Sequence, residues 1–225
     1  MRVDDKGWLV AEVGDPPLVI VPSVRATKLG MKKPKALIWH WSGTVTETPQ
    51  ELSERIQTYT AEKDVARSWH VLVGKDGTVY QSVSLHMAAW HTHRSGILGV
   101  NYYQNINKAT LGLILENAGR LRRVNDQWHI QPAWQRRKKK PTKDVLSPVV
   151  ENERVTVHGT TAYDTYTSQQ EASAEVILRA IIDHYGILRK YCTVSHSSLD
   201  YPRHEDPGPL WMDVVLPRIL GRVFP

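Results

Sequence analysis

Two histidines and an aspartate occupy positions from which a folded chain could bring them to one metal ion. His196 and Asp206 lie near the C-terminus, with nine residues between them, a spacing that a folded loop can close. Pro207 biases the backbone of Asp206 toward extended conformations, and Pro207-Gly208-Pro209 predicts a rigid turn after it. Catalytic zinc commonly takes three protein ligands of these types and keeps a fourth position for water. The loop therefore predicts two ligands of a catalytic metal site.

The third ligand is predicted much earlier in the chain. The sequence Ala36-Leu37-Ile38-Trp39-His40-Trp41 is a short apolar run typical of a buried strand, and it is followed by a Ser/Gly loop. Proteins of the α/β class present functional side chains where such strands end. We therefore predict that His40 completes a Zn²⁺ site with His196 and Asp206.

The length of 225 residues and the hydrophobic content of 41% predict one well-buried domain, or one domain with an appendage, rather than two full domains. Apolar runs such as Val176-Ile177-Leu178 are far too short to cross a bilayer, and residues 1–6 contain no apolar signal core. We therefore expect cytoplasmic synthesis without a signal peptide and no membrane partner. On this expectation, the protein acts on an external substrate only after release.

The single cysteine, Cys192, excludes an internal disulfide framework. The chain therefore carries no mark of an oxidising compartment. We interpret Cys192 as a small, buried, apolar residue.

A positive net charge of +6 and a pI of about 9.4 favour an anionic partner. Much of the excess lies in one run, Arg136-Arg137-Lys138-Lys139-Lys140. A solvated loop is the common explanation of such a run, and attraction to an anionic polymer is the functional alternative. No recognised DNA- or RNA-binding motif accompanies the charge, so we expect no nucleic-acid partner.

The order of these motifs resembles a known family. His40 at the end of an apolar strand, then His196, then Asp206-Pro207-Gly208-Pro209, is similar to the type-2 N-acetylmuramoyl-L-alanine amidases, the zinc amidase and peptidoglycan recognition protein family. The resemblance covers about residues 36–212. It implies an α/β fold in which a central mixed sheet is flanked by helices, Zn²⁺ as cofactor, and peptidoglycan or a muropeptide as substrate.

The resemblance also divides the chain. Residues 1–35 lie outside it, and we expect them to form an extended arm with one edge strand near Leu18-Val19-Ile20. Residues 36–225 would form the amidase domain, with a basic insertion at about 120–165. Within that domain, Thr48 and Thr167 are predicted to begin helices as N-caps, and Gly186 is predicted to end the second helix.

Four further residues are expected at the substrate because of the resemblance. Trp69 stands where the family often has a catalytic tyrosine, and tryptophan can offer only packing or stacking there. His70 matches a common family histidine, for which lining the site and filling the core both remain open. His91 lies in a loop like the family's Ala-Trp-His loop and is expected to donate a hydrogen bond to the muramyl sugar or the peptide. Asn117 keeps its family position.

The sequence departs from the family at two catalytic positions. Ile114 stands where the family has the glutamate that activates water, and Glu116 follows two residues later on the same predicted strand face, roughly 6 to 7 Å further along. A bulge could carry Glu116 to the metal, and without one it would be a rim residue. His204 replaces a lysine that stabilises the oxyanion. A protonated His204 could serve, although with a dependence on pH that lysine lacks.

The resemblance implies zinc-dependent hydrolysis of the amide between N-acetylmuramic acid and L-alanine, and the basic pI and basic insertion favour a protein of the phage-endolysin type. Three alternatives remain open: a recognition domain that binds muropeptide without cutting it, a cytosolic amidase that recycles soluble muropeptides, and an unrelated zinc hydrolase. The oligomeric state is not predicted.

Overall fold

The computed structural model describes most of the chain. The described residues are 1–23, 30–31, 33–43, 48–61, 68–92, 96–98, 101–130, 149–150, 152–187, 189–200 and 205–224.

A mixed sheet of six strands forms the centre of the described structure. The strands, numbered along the whole chain, are β3 (Leu18–Ile20), β4 (Ala36–Trp41), β5 (Val71–Val73), β6 (Val79–Gln81), β9 (Thr110–Leu115) and β15 (Val194–Ser195). Their order across the sheet is β15-β4-β9-β5-β6-β3. All neighbouring pairs are parallel except β5 and β6, which form an antiparallel hairpin around Asp76-Gly77. The predicted α/β fold with a central mixed sheet is therefore confirmed.

Helices cover both faces of this sheet, which explains why most residues of its strands are apolar. Helix α1 (Pro49–Ala61) packs Leu52 and Ile56 against the face that carries Leu72 and Tyr80. Helix α2 (Ser168–Tyr185) packs on the opposite face, together with α4 (Leu216–Val223). Parallel strands buried on both sides are expected to be continuous hydrophobic runs, as β4 is.

The ends of the helices follow the predicted capping chemistry. The Thr48 hydroxyl accepts a hydrogen bond from the Glu51 amide at 3.2 Å. Thr167 and Gln170 form a reciprocal capping box at the start of α2, and Gly186 ends that helix in the left-handed conformation. Two further helical segments follow: the short α3 (His196–Asp200) and a π-helical stretch, Leu210–Val215, that continues into α4.

The N-terminal residues contribute the predicted edge strand. Strand β3 pairs in parallel with β6 at one edge of the central sheet. Before it, β1 (Arg2–Val3) and β2 (Leu9–Val10) form a two-stranded antiparallel pair, and β1 lies against α2. The division of the chain at residue 35 remains a prediction.

A second, antiparallel sheet occupies the region predicted as an insertion. Its strands are β10 (Arg120–Val124), β11 (Gln127–Ile130), β12 (Val149–Val150), β13 (Val155–His158) and β14 (Thr161–Asp164), in the order β12-β11-β10-β14-β13. Leu121, Ile130 and Ala162 form a small core beneath it. The basic run at 136–140 lies outside the described residues.

A small hairpin completes the strands, formed by β7 (Gly96–Leu98) and β8 (Asn101–Tyr103). Across the described ranges, no helix combines the length and the apolar character that a membrane span requires.

Candidate metal centre and active site

The parallel register of the central sheet places three side chains in one row. Ser195 of β15 pairs with Trp39 of β4, so the next residue, His196, follows beside His40. On the other side of β4, His40 pairs with Ile114 of β9. Paired residues of neighbouring strands share a face, and strands lie about 4.8 Å apart. This register therefore places His196, His40 and Ile114 side by side on the face of the sheet that α1 covers.

The loop that carries Asp206 is held against this row by three contacts. The Ser197 amide donates to the carbonyl of Asp206 at 3.0 Å, which ties the start of α3 to the loop. The Tyr166 hydroxyl donates to the carbonyl of Pro207 at 2.8 Å. The Tyr166 ring in turn packs on Trp211, with ring centroids 5.0 Å apart. Asp206 is thus fixed from both sides, and its side chain is buried.

Three ligand atoms converge at the centre of the site. His40 Nδ1 lies 3.1 Å from His196 Nδ1 and 2.9 Å from Asp206 Oδ2, and His196 Nδ1 lies 3.0 Å from the same oxygen. In the part of the chain that the structure describes, these three residues form the one group of histidine, cysteine and carboxylate side chains arranged to hold a metal ion. The predicted ligand set is therefore brought together as expected.

The donor set fits zinc. Ligand atoms about 2.1 Å from a tetrahedral ion lie roughly 3.4 Å from one another, close to the separations found here. Two imidazole nitrogens and one carboxylate oxygen also match the ligands that zinc takes in catalytic sites. Without a shared cation or proton, these acceptor atoms would face each other at repulsive distances inside a buried site.

Cys192 is not part of this group. Its side chain is fully buried in the main hydrophobic core, and burial raises the pKa of its thiol to about 12. Its backbone carbonyl accepts a hydrogen bond from the Trp39 indole at 2.7 Å. The interpretation of Cys192 as a small core residue is confirmed.

Glu116 does not reach the metal group. The regular pairing of β9 ends at Leu115, and the Glu116 amide donates to the carbonyl of Val73 at 2.8 Å. Its carboxylate accepts a hydrogen bond from the Lys75 amide at 2.9 Å, and the residue is only 3% exposed. The alternative of a rim residue is therefore wrong, and the predicted role as catalytic base is not supported by this placement.

Trp69 and His70 both make their contacts inside the protein. Trp69 packs in the apolar cluster beneath α1, which meets the expectation of packing but not that of stacking on substrate. His70 is fully buried, accepts a hydrogen bond from the Gly112 amide at Nδ1 and faces the carbonyl of Met87 with Nε2. Both ring nitrogens therefore have protein partners, and His70 fills the core rather than binding substrate.

The side chain of Asn117 also makes its hydrogen bonds within the protein. It is completely buried, its amide group donates to the carbonyl of Asp164 at 2.9 Å, and its side-chain oxygen accepts from the Gly119 amide at 2.7 Å. The expected contact of Asn117 with substrate is replaced by a role in shaping the loop after β9.

His91 lies beside the metal group, and both of its ring nitrogens face atoms of the protein. Nδ1 lies 3.2 Å from His40 Nε2, and Nε2 lies 3.2 Å from both the carbonyl and the hydroxyl oxygen of Thr110. Burial lowers the pKa of His91 well below its ordinary value, and the neighbouring His40 and His70 lower it further. In this conformation both ring nitrogens of His91 therefore face protein atoms, and its hydrogen bond to the muramyl sugar or peptide stays a prediction.

His204 lies outside the described residues, so its predicted role stays a prediction. Sequence reasoning also missed Trp41, whose half-buried ring lies between Gly119 and Gly208, the latter in the loop that carries Asp206. A Cβ atom at Gly119 or Gly208 would lie 2.7 or 2.6 Å from the Trp41 ring, and both glycines have positive φ. The signal available in the sequence was Trp41 itself, directly after the ligand His40.

Comparison with known proteins agrees with this architecture. Residues 30–209 match the family model described as N-acetylmuramoyl-L-alanine amidase. No curated protein sequence gives a significant match. Among solved structures, the fold is similar to that of AmpD, with 18% identity, a TM-score of 0.55, and coverage of 97% of this chain and 99% of that chain.

Two further solved structures are similar. AmiD from E. coli, in complex with the substrate anhydro-N-acetylmuramic acid-L-Ala-D-γ-Glu-L-Lys, has 18% identity and a TM-score of 0.54, with 98% of this chain and 65% of that chain covered. A mutant endolysin from Bacillus subtilis has 16% identity and a TM-score of 0.52, with 92% and 99% covered. At such identities the likeness establishes the fold.

A mixed α/β sheet with a buried His-His-Asp group beside its parallel strands places the chain among α/β proteins with a candidate metal site. Because the family model spans most of the sequence, the chain belongs to the N-acetylmuramoyl-L-alanine amidase family, whose members are enzymes that hydrolyse peptidoglycan.

The burial of His70 predicts a dependence of stability on pH. Burial lowers the pKa of His70 from 6.5 to about 4, so between these values the unfolded chain binds a proton that the folded chain does not. The free energy of unfolding should therefore fall as the pH drops from 6.5 to 4, by about 3 kcal/mol from this group. Urea unfolding across this range measures it.

The variant His70→Gln should show a weaker loss of stability over the same range, since glutamine does not titrate. His184→Gln, which changes an exposed histidine of α2, is the matched control and should keep the wild-type slope. Equal slopes for His70→Gln and the wild type would show that His70 does not carry this dependence.

Proposed function

We propose that this protein is a zinc-dependent amidase that cleaves the bond between N-acetylmuramic acid and L-alanine in peptidoglycan. The observation that carries the proposal is the convergence of His40 Nδ1, His196 Nδ1 and Asp206 Oδ2 within about 3 Å, in a chain of the amidase family. The substrate bound to the similar AmiD structure, an anhydromuramyl peptide, supports the same substrate class here.

The residues of the chain have distinct tasks in this proposal. His40, His196 and Asp206 would hold the zinc ion, which when bound supplies an activated water and polarises the scissile carbonyl. We assign to His204, two residues before Asp206, stabilisation of the developing oxyanion in its protonated form. Trp41, the residue after His40, packs its ring against Gly208 of the loop that carries Asp206 and so helps to hold that loop.

The biological role that we propose is that of an endolysin, synthesised in the cytoplasm and acting on the wall after release. The net charge of +6 supports it, since wall polymers are anionic. Exposed arginines on the second sheet, Arg120 and Arg123, add positive charge to the described surface. A similar fold in an endolysin from Bacillus subtilis is consistent with this role. The alternative is an amidase that trims soluble anhydromuropeptides.

One assay tests both the chemistry and the role. The zinc-loaded protein should release stem peptide from purified sacculi, lose this activity in EDTA and regain it with zinc. It should also turn over sacculi faster than a soluble anhydromuropeptide. Faster turnover of the soluble fragment would support the recycling role instead, and no release from either substrate would contradict the amidase proposal.

Asp206→Ala should abolish release, because it removes a metal ligand, while binding to sacculi should remain. Asp213→Ala is the matched control, since Asp213 is an exposed carboxylate of the same C-terminal segment, and it should keep wild-type activity. A protein that binds sacculi equally well with and without Asp206, and releases nothing in either form, would be a recognition domain.

Ile114 offers a separate test of the catalytic machinery. It pairs with His40 in the sheet and lies in the row of the metal ligands, so Ile114→Glu would place a carboxylate beside the site. A general base typically contributes 10²–10⁴-fold to the rate, and we expect kcat to rise at least about tenfold. Ile114→Gln, of equal size but without a base, should not raise kcat. An unchanged kcat in Ile114→Glu would show that another group already takes the proton.

A further inference from the structure

The hydrogen bonds around His91 determine which of its two ring nitrogens carries the hydrogen. The Thr110 hydroxyl donates its only hydrogen to the carbonyl of Ile106, at 2.9 Å. Its oxygen and the Thr110 carbonyl can therefore act only as acceptors toward His91 Nε2, which lies 3.2 Å from each. His91 Nε2 must carry the hydrogen, and a neutral His91 then has a lone pair at Nδ1.

This arrangement determines which ring nitrogen of His40, the proposed metal ligand, carries the hydrogen. The lone pair of His91 Nδ1 faces His40 Nε2 at 3.2 Å, so His40 Nε2 is the donor in that hydrogen bond. A neutral imidazole has only one N–H group. His40 Nδ1 is therefore left with a lone pair, and this is the atom that converges with His196 Nδ1 and Asp206 Oδ2.

The surroundings of His91 hold its ring in place. The side-chain oxygen of Asn107 accepts from the amides of His91 and Thr92, each at 3.1 Å, and its amide group donates back to the carbonyl of Thr92. The ring lies directly on Gly112, where an added Cβ would approach His91 Cγ to 2.5 Å. The His70 ring packs edge-on with a centroid distance of 5.8 Å.

We propose that His91 is a positioning residue of the metal site, which holds His40 in the Nε2–H tautomer so that Nδ1 is free to bind the ion. Partners of this kind orient a ligating histidine, and their loss typically weakens metal binding 10–100-fold. In most such sites the partner is a carboxylate, a backbone carbonyl or water, whereas here it is a second histidine anchored by Thr110. The proposal rests on the zinc site of the proposed function.

Zinc affinity tests the proposal directly, through competition with a chromophoric chelator. His91→Phe keeps the ring volume but removes the acceptor, and it should weaken zinc binding 10–100-fold. His91→Asn places its side-chain oxygen near the position of Nδ1 and should stay within about threefold of the wild type. His184→Phe, which changes an exposed histidine of α2, is the control and should bind zinc like the wild type.

Long-range ¹H–¹⁵N NMR of the metal-free protein gives a second readout that does not need zinc. His40 should show the Nε2–H tautomer in the wild type and in His91→Asn, and should lose it in His91→Phe. Wild-type zinc affinity in His91→Phe, or an Nδ1–H tautomer of His40 in the wild type, would overturn the proposal. A wild type that shows the expected tautomer but binds no zinc would instead contradict the proposed function.

Discussion

The whole site depends on the parallel pairing of β15 and β4. This pairing sets His196 beside His40, and with Asp206 their ligand atoms lie within about 3 Å of one another in a buried position. Three acceptor atoms at such distances require a shared cation or proton, because burial removes the water that would otherwise solvate them. The remaining contacts of the site, from Tyr166 on the Asp206 loop to Asn107 at His91, serve to keep these atoms in place.

The face of the sheet that carries the site is built from both polar and apolar neighbours. Ile114 and Leu72 continue the row from His40 toward the apolar cluster under α1, so one side of the metal group is apolar. The other side contains histidines whose nitrogens bond to the protein. Metal binding needs neutral imidazoles and an ionised carboxylate, so the affinity of such a site for an ion depends on pH.

Much of the architecture was predictable from the sequence. The ligands His40, His196 and Asp206 follow from residue type, strand ends and the turn after Asp206, and the helix starts follow from local capping chemistry at Thr48 and Thr167. These features depend on neighbours in sequence or on family order, so one sequence is enough to show them. The same holds for Cys192, which lies in the core as free cysteines commonly do.

The roles of individual polar side chains were not predictable in the same way. His70, His91 and Asn117 match family positions, but which of their nitrogens and oxygens already have partners depends on residues up to 51 positions away. The predicted position of Glu116 was wrong because side chains alternate between the two faces of a sheet only within a regularly paired strand. Regular pairing of β9 ends at Leu115, and the carboxylate turns to the amide of Lys75.

The most direct measurement is an anomalous diffraction map of the zinc-loaded protein, collected on both sides of the zinc absorption edge. The account predicts one peak at about 2.0–2.1 Å from the Nδ1 atoms of His40 and His196, with Asp206 as the third protein ligand. A map without a peak at these three side chains, or with zinc bound elsewhere, would contradict it.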